Sequence, residues 1–319
     1  MTQISVVVPV FNEEESLPEL SQWISRVMKD HGFSYEVIYI NDGSTDNSWE
    51  VIRDLSQKSN EVKGINLNRN YGKSAALDAG FKKSSGDVII TMDADLQDSP
   101  EEIPGLYSLI LEGFDVVSGW KKQRHDPLTK TIPSRFFNGV TRWISGIKLH
   151  DFNCGLKAYR RKVIKNIQLY GEMHRYIPLL AKWNGFNKIG EKVVQHQARK
   201  YGYSKFGIER FLNGFLDLIS VSFVHRYKKK PMHFFGLLGS LSFFSGFMIT
   251  CWLIFRKVYG IHLGLNVREV TDQPLFFLAL VALIIGVQLF LTGFISELMT
   301  SNQSKETEYM IDEETNFDF

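Results

Sequence analysis

From the first residues onward, short β-branched runs alternate with amphipathic stretches. Ile4–Pro9, Tyr35–Ile40, Val62–Leu67 and Asp87–Met92 are nearly continuous apolar runs, the pattern of parallel strands covered on both faces. Glu14–Met28, Ser48–Gln57, Lys73–Lys83 and Glu101–Leu111 lie between or after them with helical spacing. The first opens on acids and the second follows Asp46, both favourable at a helix N-terminus. A β-α repeat of this kind predicts a doubly wound, Rossmann-like α/β domain whose ligands lie beyond the carboxyl ends of the strands. Past residue 120 the pattern loosens: Thr131–Ser145 and Arg175–Asn184 read as helices, Asn187–Gln195 as a strand. Phe206–Phe223 sets Phe206, Phe211, Phe215, Leu218, Ile219 and Val221 among polar residues just before a basic run, which predicts an amphipathic helix lying in a membrane interface.

The hydrophobic pattern then changes in kind. Met232–Phe255 is 24 residues long and Leu275–Ser296 is 22, and neither contains Asp, Glu, Lys or Arg. At about 1.5 Å per residue each reaches across a bilayer core of about 30 Å. Globular core helices seldom stay uncharged on every face for that length. The two runs predict a transmembrane hairpin joined by Arg256–Pro274. Arg226-Tyr227-Lys228-Lys229-Lys230 stands directly before the first span, and basic flanks prefer the cytoplasm. The expected layout is a cytoplasmic α/β domain over 1–205, an interfacial segment over 206–230, two spans within 231–299 and an acidic tail over 300–319. Both termini are then cytoplasmic, at an inner (cytoplasmic) membrane.

Composition narrows the function classes. Lys plus Arg number 37 and Asp plus Glu 35, a formal charge of +2, without the basic excess of a nucleic-acid binder. Residues 301–319 hold six acids and one base, so the first 300 residues carry +7. Cys154 and Cys251 make no disulfide framework, and no C-x-x-C motif occurs. MTQISVVVPV lacks a basic region and a cleavage site, so secretion by a signal peptide is not expected.

The polar chemistry gathers where the strands end: Pro9-Val10-Phe11-Asn12-Glu13-Glu14, Asn41-Asp42-Gly43-Ser44-Thr45-Asp46, Asn68-Arg69-Asn70-Tyr71-Gly72-Lys73, and Asp93-Ala94-Asp95-Leu96-Gln97-Asp98. Singly, each is ordinary turn composition. Together they form one rim of an open α/β sheet. Asp93 and Asp95 repel unless a cation sits with them, and all-oxygen ligands favour Mg²⁺ or Mn²⁺ completed by phosphate oxygens; Gln97 offers a neutral oxygen beside them. Lys73, Arg124, Arg135, Arg199 and Lys205 are candidates to meet the remaining negative charge of a diphosphate, although each alone reads as a solvated surface charge.

The strings VVVPVFNEEESL, YINDGSTDNS, NLNRNYGK and TMDADLQDSPEEI resemble the family 2 glycosyltransferases of GT-A fold, and among them the polyprenyl-phosphate glycosyltransferases. The resemblance covers residues 3 to 230, and the two-span hairpin is also typical of bacterial members. It implies that Pro9, Phe11, Glu13 and Asp42 line a nucleotide-base pocket, that Gly72 and Lys73 lie near ribose and diphosphate, and that Asp93, Asp95 and Gln97 hold the metal. The family's D-x-x-x-G-[FL]-[RK] segment corresponds to Asp151–Lys157, and R-x-x-G-x-S-K is intact at Arg199–Lys205. Trp120-Lys121-Lys122 departs from the Ser/Thr-Arg pair usual in relatives, which leaves Arg124 as the substitute. The implied reaction is inverting transfer from a UDP- or GDP-sugar to a polyprenyl phosphate, in a homo-oligomer expected to be a tetramer.

Chemistry makes such a set of residues sufficient. Cations stabilise charge developing on the leaving diphosphate. A phosphate acceptor, with a second pKa near ~6, needs little general base. Arg135, Arg199 and Lys205 are the candidates for its anion site, with Asp151 orienting one of them or touching the sugar. Three alternatives remain open. A processive polysaccharide synthase would carry Q-x-x-R-W, which does not occur here. Transfer to a diacylglycerol or sphingolipid hydroxyl would need a base such as Asp151. A non-catalytic scaffold would be expected to lose Asp93 and Asp95.

Overall fold

The apolar run behind Thr2 forms β1 (Ile4–Val10), buried along almost its whole length, and β2 (Tyr35–Asn41) lies parallel beside it with Val6 opposite Val37. The computed structural model describes residues 2–122, 138–169, 171–197, 200–201 and 230–301, and single positions between 218 and 227. β3 (Val62–Asn66) extends the parallel set on the far side of β2, and β4 (Val88–Thr91) flanks β1 on the other side. These four strands match the sequence expectation to within two residues at either end.

The second half of the sheet differs from the all-parallel expectation. β5 (Val116–Trp120), β6 (Lys157–Arg160) and β7 (Ile189–Val193) complete seven strands in the order β3-β2-β1-β4-β6-β5-β7. β6 runs antiparallel to both β4 and β5, so the sheet is mixed. Its sequence, Lys-Ala-Tyr-Arg, has no apolar run to announce a strand.

Helices pack on both faces. α1 (Leu17–Asp30) starts three residues later than its acidic lead suggested, because Glu13–Ser16 forms a turn in which Ser16 bonds back to the Glu13 carbonyl. It buries Leu17, Leu20, Ile24, Val27 and Met28. α2 (Ser48–Lys58) and α3 (Lys73–Lys83) fall where expected. The helix expected from Glu101 begins as a 3₁₀ turn, Pro100–Glu102, and becomes α4 (Ile103–Leu111), with Pro104 accommodated in the first turn. α5 (Arg161–Lys165) follows β6 directly. The Arg175–Asn184 helix is split into a 3₁₀ turn, Met173–Tyr176, and α6 (Ile177–Trp183), with Pro178 at the new start. Of the helix expected over Thr131–Ser145, residues 138–145 are helical; the remainder lies outside the described residues, as do the acidic tail beyond residue 301 and most of the expected interfacial helix.

Residues Val221–Phe319 form a second compact unit, separate from Met1–Ser220. α7 (Pro231–His262) and α8 (Pro274–Ser301) are its two long helices. α7 continues through Arg256 and Lys257, seven residues beyond the expected span. The most apolar stretches have mean hydropathies of 1.8 and 2.6, yet only 17% and 11% of their residues are buried, unlike the core helices of a soluble protein. Small residues line the seam between them. A Cβ on Gly239 would lie 2.7 Å from the Gly286 carbonyl oxygen, and one on Gly286 would lie 2.6 Å from the Phe243 nitrogen. Ser242 Oγ donates to the Ala282 carbonyl at 2.8 Å. Close backbone approach and a short interhelical hydrogen bond are how apolar helices hold together where no hydrophobic effect drives them. Leu237, Phe244, Met248, Trp252, Leu278 and Phe294 point outward.

Candidate active site

The loops after β1 and β2 are laced together. The Asn12 amide donates to Ser44 Oγ (2.9 Å) and the Thr45 amide to Asn12 Oδ1 (2.8 Å). The Glu13 amide donates to Ser48 Oγ (2.9 Å), and Glu14 Oε2 accepts from the Asn47 amide (2.8 Å). Asn12 sits at φ +56, a left-handed conformation that Asn tolerates better than most residues. Pro9, Phe11 and Glu13 are half-buried on this platform.

Asp42 joins it to the next loop. Its side chain is buried; Oδ1 accepts the Tyr71 amide at 2.8 Å and Oδ2 the Gly72 amide at 2.9 Å. Gly43 allows the approach: at φ +66, a Cβ there would stand 2.3 Å from the Arg69 carbonyl carbon. Gly72, at φ +90, then turns the chain into α3. Asp42 therefore shapes the 69–73 loop in addition to any contact with a ligand.

Lys73, the first residue of α3, pairs with Asp93 Oδ1 at the end of β4. Burial works to raise the Asp93 pKa, but the paired Lys73 ammonium, helped by Lys121, holds the carboxyl well below the usual range. Leu96 adopts φ +60, costly for a non-glycine residue, and so bends the loop until Asp95 Oδ1 accepts the Gln97 amide at 3.2 Å. The next residue, Asp98, is fully buried and pairs with Lys121 Nζ at 2.8 Å. Burial opposes the Lys121 charge, but Asp98 more than offsets it and raises the pKa. Lys121 is thus a cation of this rim that the strings of the sequence did not single out.

The segment after β7 closes one side. Asp98 forms an antiparallel bridge with His196, and the Gln197 amide donates to the Gln97 carbonyl at 3.0 Å. Gln97 Nε2 points toward the Gln197 carbonyl at 3.5 Å, which leaves its Oε1 as the other end of the amide. The Asp151–Lys157 segment packs against Asp93 as well. Asp151 is buried, its carbonyl accepting from Ser118 Oγ (3.2 Å) and its Oδ1 from the Asn153 amide (3.1 Å). Gly155 lies against Asp93, and Lys157 is buried two residues farther on. Of the residues expected in the site, Pro9, Phe11, Glu13, Asp42, Gly72, Lys73, Asp93, Asp95, Gln97 and Asp151 are on this rim or its flanks. Arg124, Arg135, Arg199 and Lys205 lie outside the described residues.

Among the described residues no three His, Cys, Asp or Glu side chains converge into a ready-made metal cage. Two carboxylates and an amide oxygen beside a cation-lined cleft instead suit a hard divalent ion that takes its remaining ligands from phosphate and water.

Comparison with known proteins bears on what binds there. Residues 5–168 match the family model for glycosyl transferase family 2, just over half of the chain. The chain belongs to glycosyl transferase family 2. Among the curated relatives of this family 2 transferase is a dodecaprenyl-phosphate galacturonate synthase of Rhizobium johnstonii, 38% identical over 301 residues, covering 93% of this chain and 87% of the relative. Another is an undecaprenyl-phosphate 4-deoxy-4-formamido-L-arabinose transferase of Pseudomonas aeruginosa, 35% identical over 299 residues, covering 93% and 84%. Both alignments are too long to leave out the hairpin. Among solved structures, the glucosyl-3-phosphoglycerate synthase of Mycobacterium tuberculosis in complex with Mn²⁺ and uridine-diphosphate-glucose aligns with a TM-score of 0.54 at 20% identity, covering 70% of this transferase and 79% of that chain. The GT-A-like fold is shared, followed here by two long apolar helices.

Proposed function

We propose that this transferase moves a sugar from a UDP- or GDP-sugar to a polyprenyl phosphate, with inversion at the anomeric carbon, at the cytoplasmic face of a membrane. A phosphate oxygen of the lipid attacks the anomeric carbon while the bond to the β-phosphate breaks and the nucleoside diphosphate leaves with the electron pair. The observation that carries this reading is the 93% coverage by two relatives named for polyprenyl-phosphate substrates, which takes in the hairpin as well as the catalytic domain.

The rim suits the chemistry. In this reading Pro9, Phe11 and Glu13 receive the base on the laced platform, and Asp42 keeps Tyr71 and Gly72 in the loop beside the ribose. Lys73 meets the diphosphate from the start of α3. Asp93, Asp95 and Gln97 would hold Mg²⁺ or Mn²⁺, which supplies electrostatic stabilisation of the departing diphosphate. Arg135, Arg199 and Lys205, with Arg124 as a further candidate, are assigned to the phosphate of the lipid, and Asp151 to positioning at the sugar end. The hairpin brings the rim to an acceptor whose tail is insoluble in water. Assembly into a homo-oligomer, with a tetramer as the first expectation, belongs to the same reading.

The test is transfer of radiolabel from a panel of UDP- and GDP-sugars by the purified full-length protein with Mg²⁺ or Mn²⁺, offering undecaprenyl phosphate and diacylglycerol in parallel. Label in an acid-labile polyprenyl product supports the proposal. Label confined to diacylglycerol overturns it and turns attention to Asp151 as a base.

A further inference from the structure

The acidic end of the chain has no part in the proposed reaction. Residues 301–319 carry a net charge of −5, from Glu306, Glu308, Asp312, Glu313, Glu314 and Asp318 against Lys305. They are not uniformly polar: Tyr309, Met310, Ile311, Phe317 and Phe319 stand among the acids. A segment kept only for solvation has few such side chains.

The hairpin fixes where this segment starts. Near the end of α8, the Glu297 carboxylate accepts the Met232 amide, at the start of α7, at 3.2 Å. The start of α7 and the end of α8 are therefore neighbours, and the tail leaves the hairpin beside the stretch that enters it. That stretch is Arg226-Tyr227-Lys228-Lys229-Lys230, four cations in five residues. Tyr227 and the exposed Lys230 are its described members, and both are tied to α7. The Lys230 amide donates to the Tyr227 carbonyl at 3.1 Å, and the Lys230 carbonyl accepts the His233 amide at 3.1 Å. The rings of Phe223, Tyr227 and Phe234 meet pairwise with centroids 5.0, 5.1 and 4.9 Å apart, and Phe235 lies 5.2 Å from Phe234. All four rings are half-buried. The base of the hairpin thus offers cations beside aromatic surface, and the tail offers acids beside aromatic and aliphatic side chains.

Reach favours their contact. From Glu297 to Ser301 the helix runs only about 6 Å farther. A flexible chain of about 5 to 12 residues has a root-mean-square span of roughly 12 to 20 Å, enough to bring Glu306 or the Asp312–Glu314 run back to Lys230. Tethering at that range gives an effective concentration in the millimolar range, at which pairs too weak to hold between separate molecules are populated. Anionic lipid headgroups are the rival occupant of a basic run beside a membrane. The tail has two advantages over them: it is covalently held at the spot, and its apolar side chains match the ring cluster.

We infer that the acidic tail folds back on the basic, aromatic base of the hairpin, pairs its carboxylates with Lys228, Lys229 and Lys230, and competes with anionic lipid headgroups for that surface. It is an intrachain screen that weakens the attraction of this protein for negatively charged lipid. The inference goes beyond the transfer reaction and does not depend on it.

The test is carbodiimide cross-linking of the full-length protein in a neutral detergent, which joins a lysine amine to a carboxylate where the two touch. The monomer band of a denaturing gel, in which every link lies within one chain, is digested and read by mass spectrometry. Peptides joining Lys228, Lys229 or Lys230 to the acids of residues 306–318 are expected at low salt, and screening is expected to remove them at high salt. Their absence at low salt, or their persistence undiminished at high salt, overturns the pairing. Links confined to the dimer band assign the surface to a second copy of the chain and overturn the intrachain contact. Binding of a short-chain phosphatidylglycerol to the same solubilised protein tests the competition. The variant Glu306→Gln, Glu308→Gln, Asp312→Asn, Glu313→Gln, Glu314→Gln, Asp318→Asn should bind this lipid on the order of tenfold more tightly than the wild type. Adding Lys228→Gln, Lys229→Gln and Lys230→Gln should cancel the gain. Equal affinities for the wild type and the tail variant overturn the screen, and either failure leaves the proposed transfer reaction standing.

Discussion

Gly155 stands where the Asp93 carboxylate leaves no space for a side chain: a Cβ at residue 155 would lie 2.5 Å from Oδ2 and 2.6 Å from Cγ. Thr91, the last residue of β4 and two before Asp93, fixes the same segment by donating its Oγ1–H to the Gly155 carbonyl at 2.8 Å. The segment leading into the antiparallel β6 thus presses bare backbone against the carboxylate that Lys73 also holds. Gly155→Ala should push Asp93 aside without unfolding the domain. Displacements of about 1 Å in a catalytic centre cost on the order of 10²-fold in rate. Transfer assays beside circular dichroism check this, and near-wild-type turnover would show that the contact does not position Asp93.

How much of this was legible beforehand differs between the two halves of the sheet. β1, β2, β3 and β4 announce themselves through apolar runs, and because the polar strings follow them directly, the rim is readable from order alone. β6 is not readable: Lys157 and Arg160 bracket only Ala158 and Tyr159, and its strand character comes from pairing with β4 and β5. The requirement for glycine at 155 depends on that pairing, as does the burial of Lys157. Lys121 looked like a departure from family pattern, and only the fold reveals buried Asp98 opposite it. The split before α6 has a local cause, Pro178, that the sequence did display.

Asp42 accepts two backbone amides, a task its neutral isostere cannot complete with a single carbonyl oxygen. Asp42→Asn should cost on the order of 2 kcal/mol, the scale for a buried hydrogen bond to a charged group, and raise the donor KM as the 69–73 loop loosens. Thermal unfolding and donor kinetics on one preparation check both. An unchanged melting temperature would contradict the structural part.

Glu36 should make acid tolerance depend on a site far from the rim. Burial works to raise its pKa, but Lys63, the Ser5 hydroxyl and the Ser85 amide and hydroxyl bring it down to about 2. A depressed carboxylate contributes stability that is present above its unfolded pKa and lost as pH falls through the folded one. Between about pH 4.5 and about pH 2 the wild type should therefore lose stability that Glu36→Gln has already lost at neutral pH. Urea unfolding of the two proteins across that range should show converging midpoints; parallel curves would contradict it.

In the hairpin, Gly286→Leu would put a side chain into the backbone of the other helix, since even a Cβ meets the Phe243 nitrogen at 2.6 Å. The pair should splay, lowering the melting temperature in detergent by several degrees. Leu278→Ala, on the outward face, should change little. Equal effects from both would contradict the seam.

The most direct measurement is sugar transfer to polyprenyl phosphate by Asp95→Ala beside the wild type, in Mg²⁺ or Mn²⁺, with membrane association and folding checked on the same samples. Loss of transfer to background in a folded, membrane-bound protein is the expected result. Substantial retained turnover would contradict the claim that the carboxylates at the end of β4 carry the reaction.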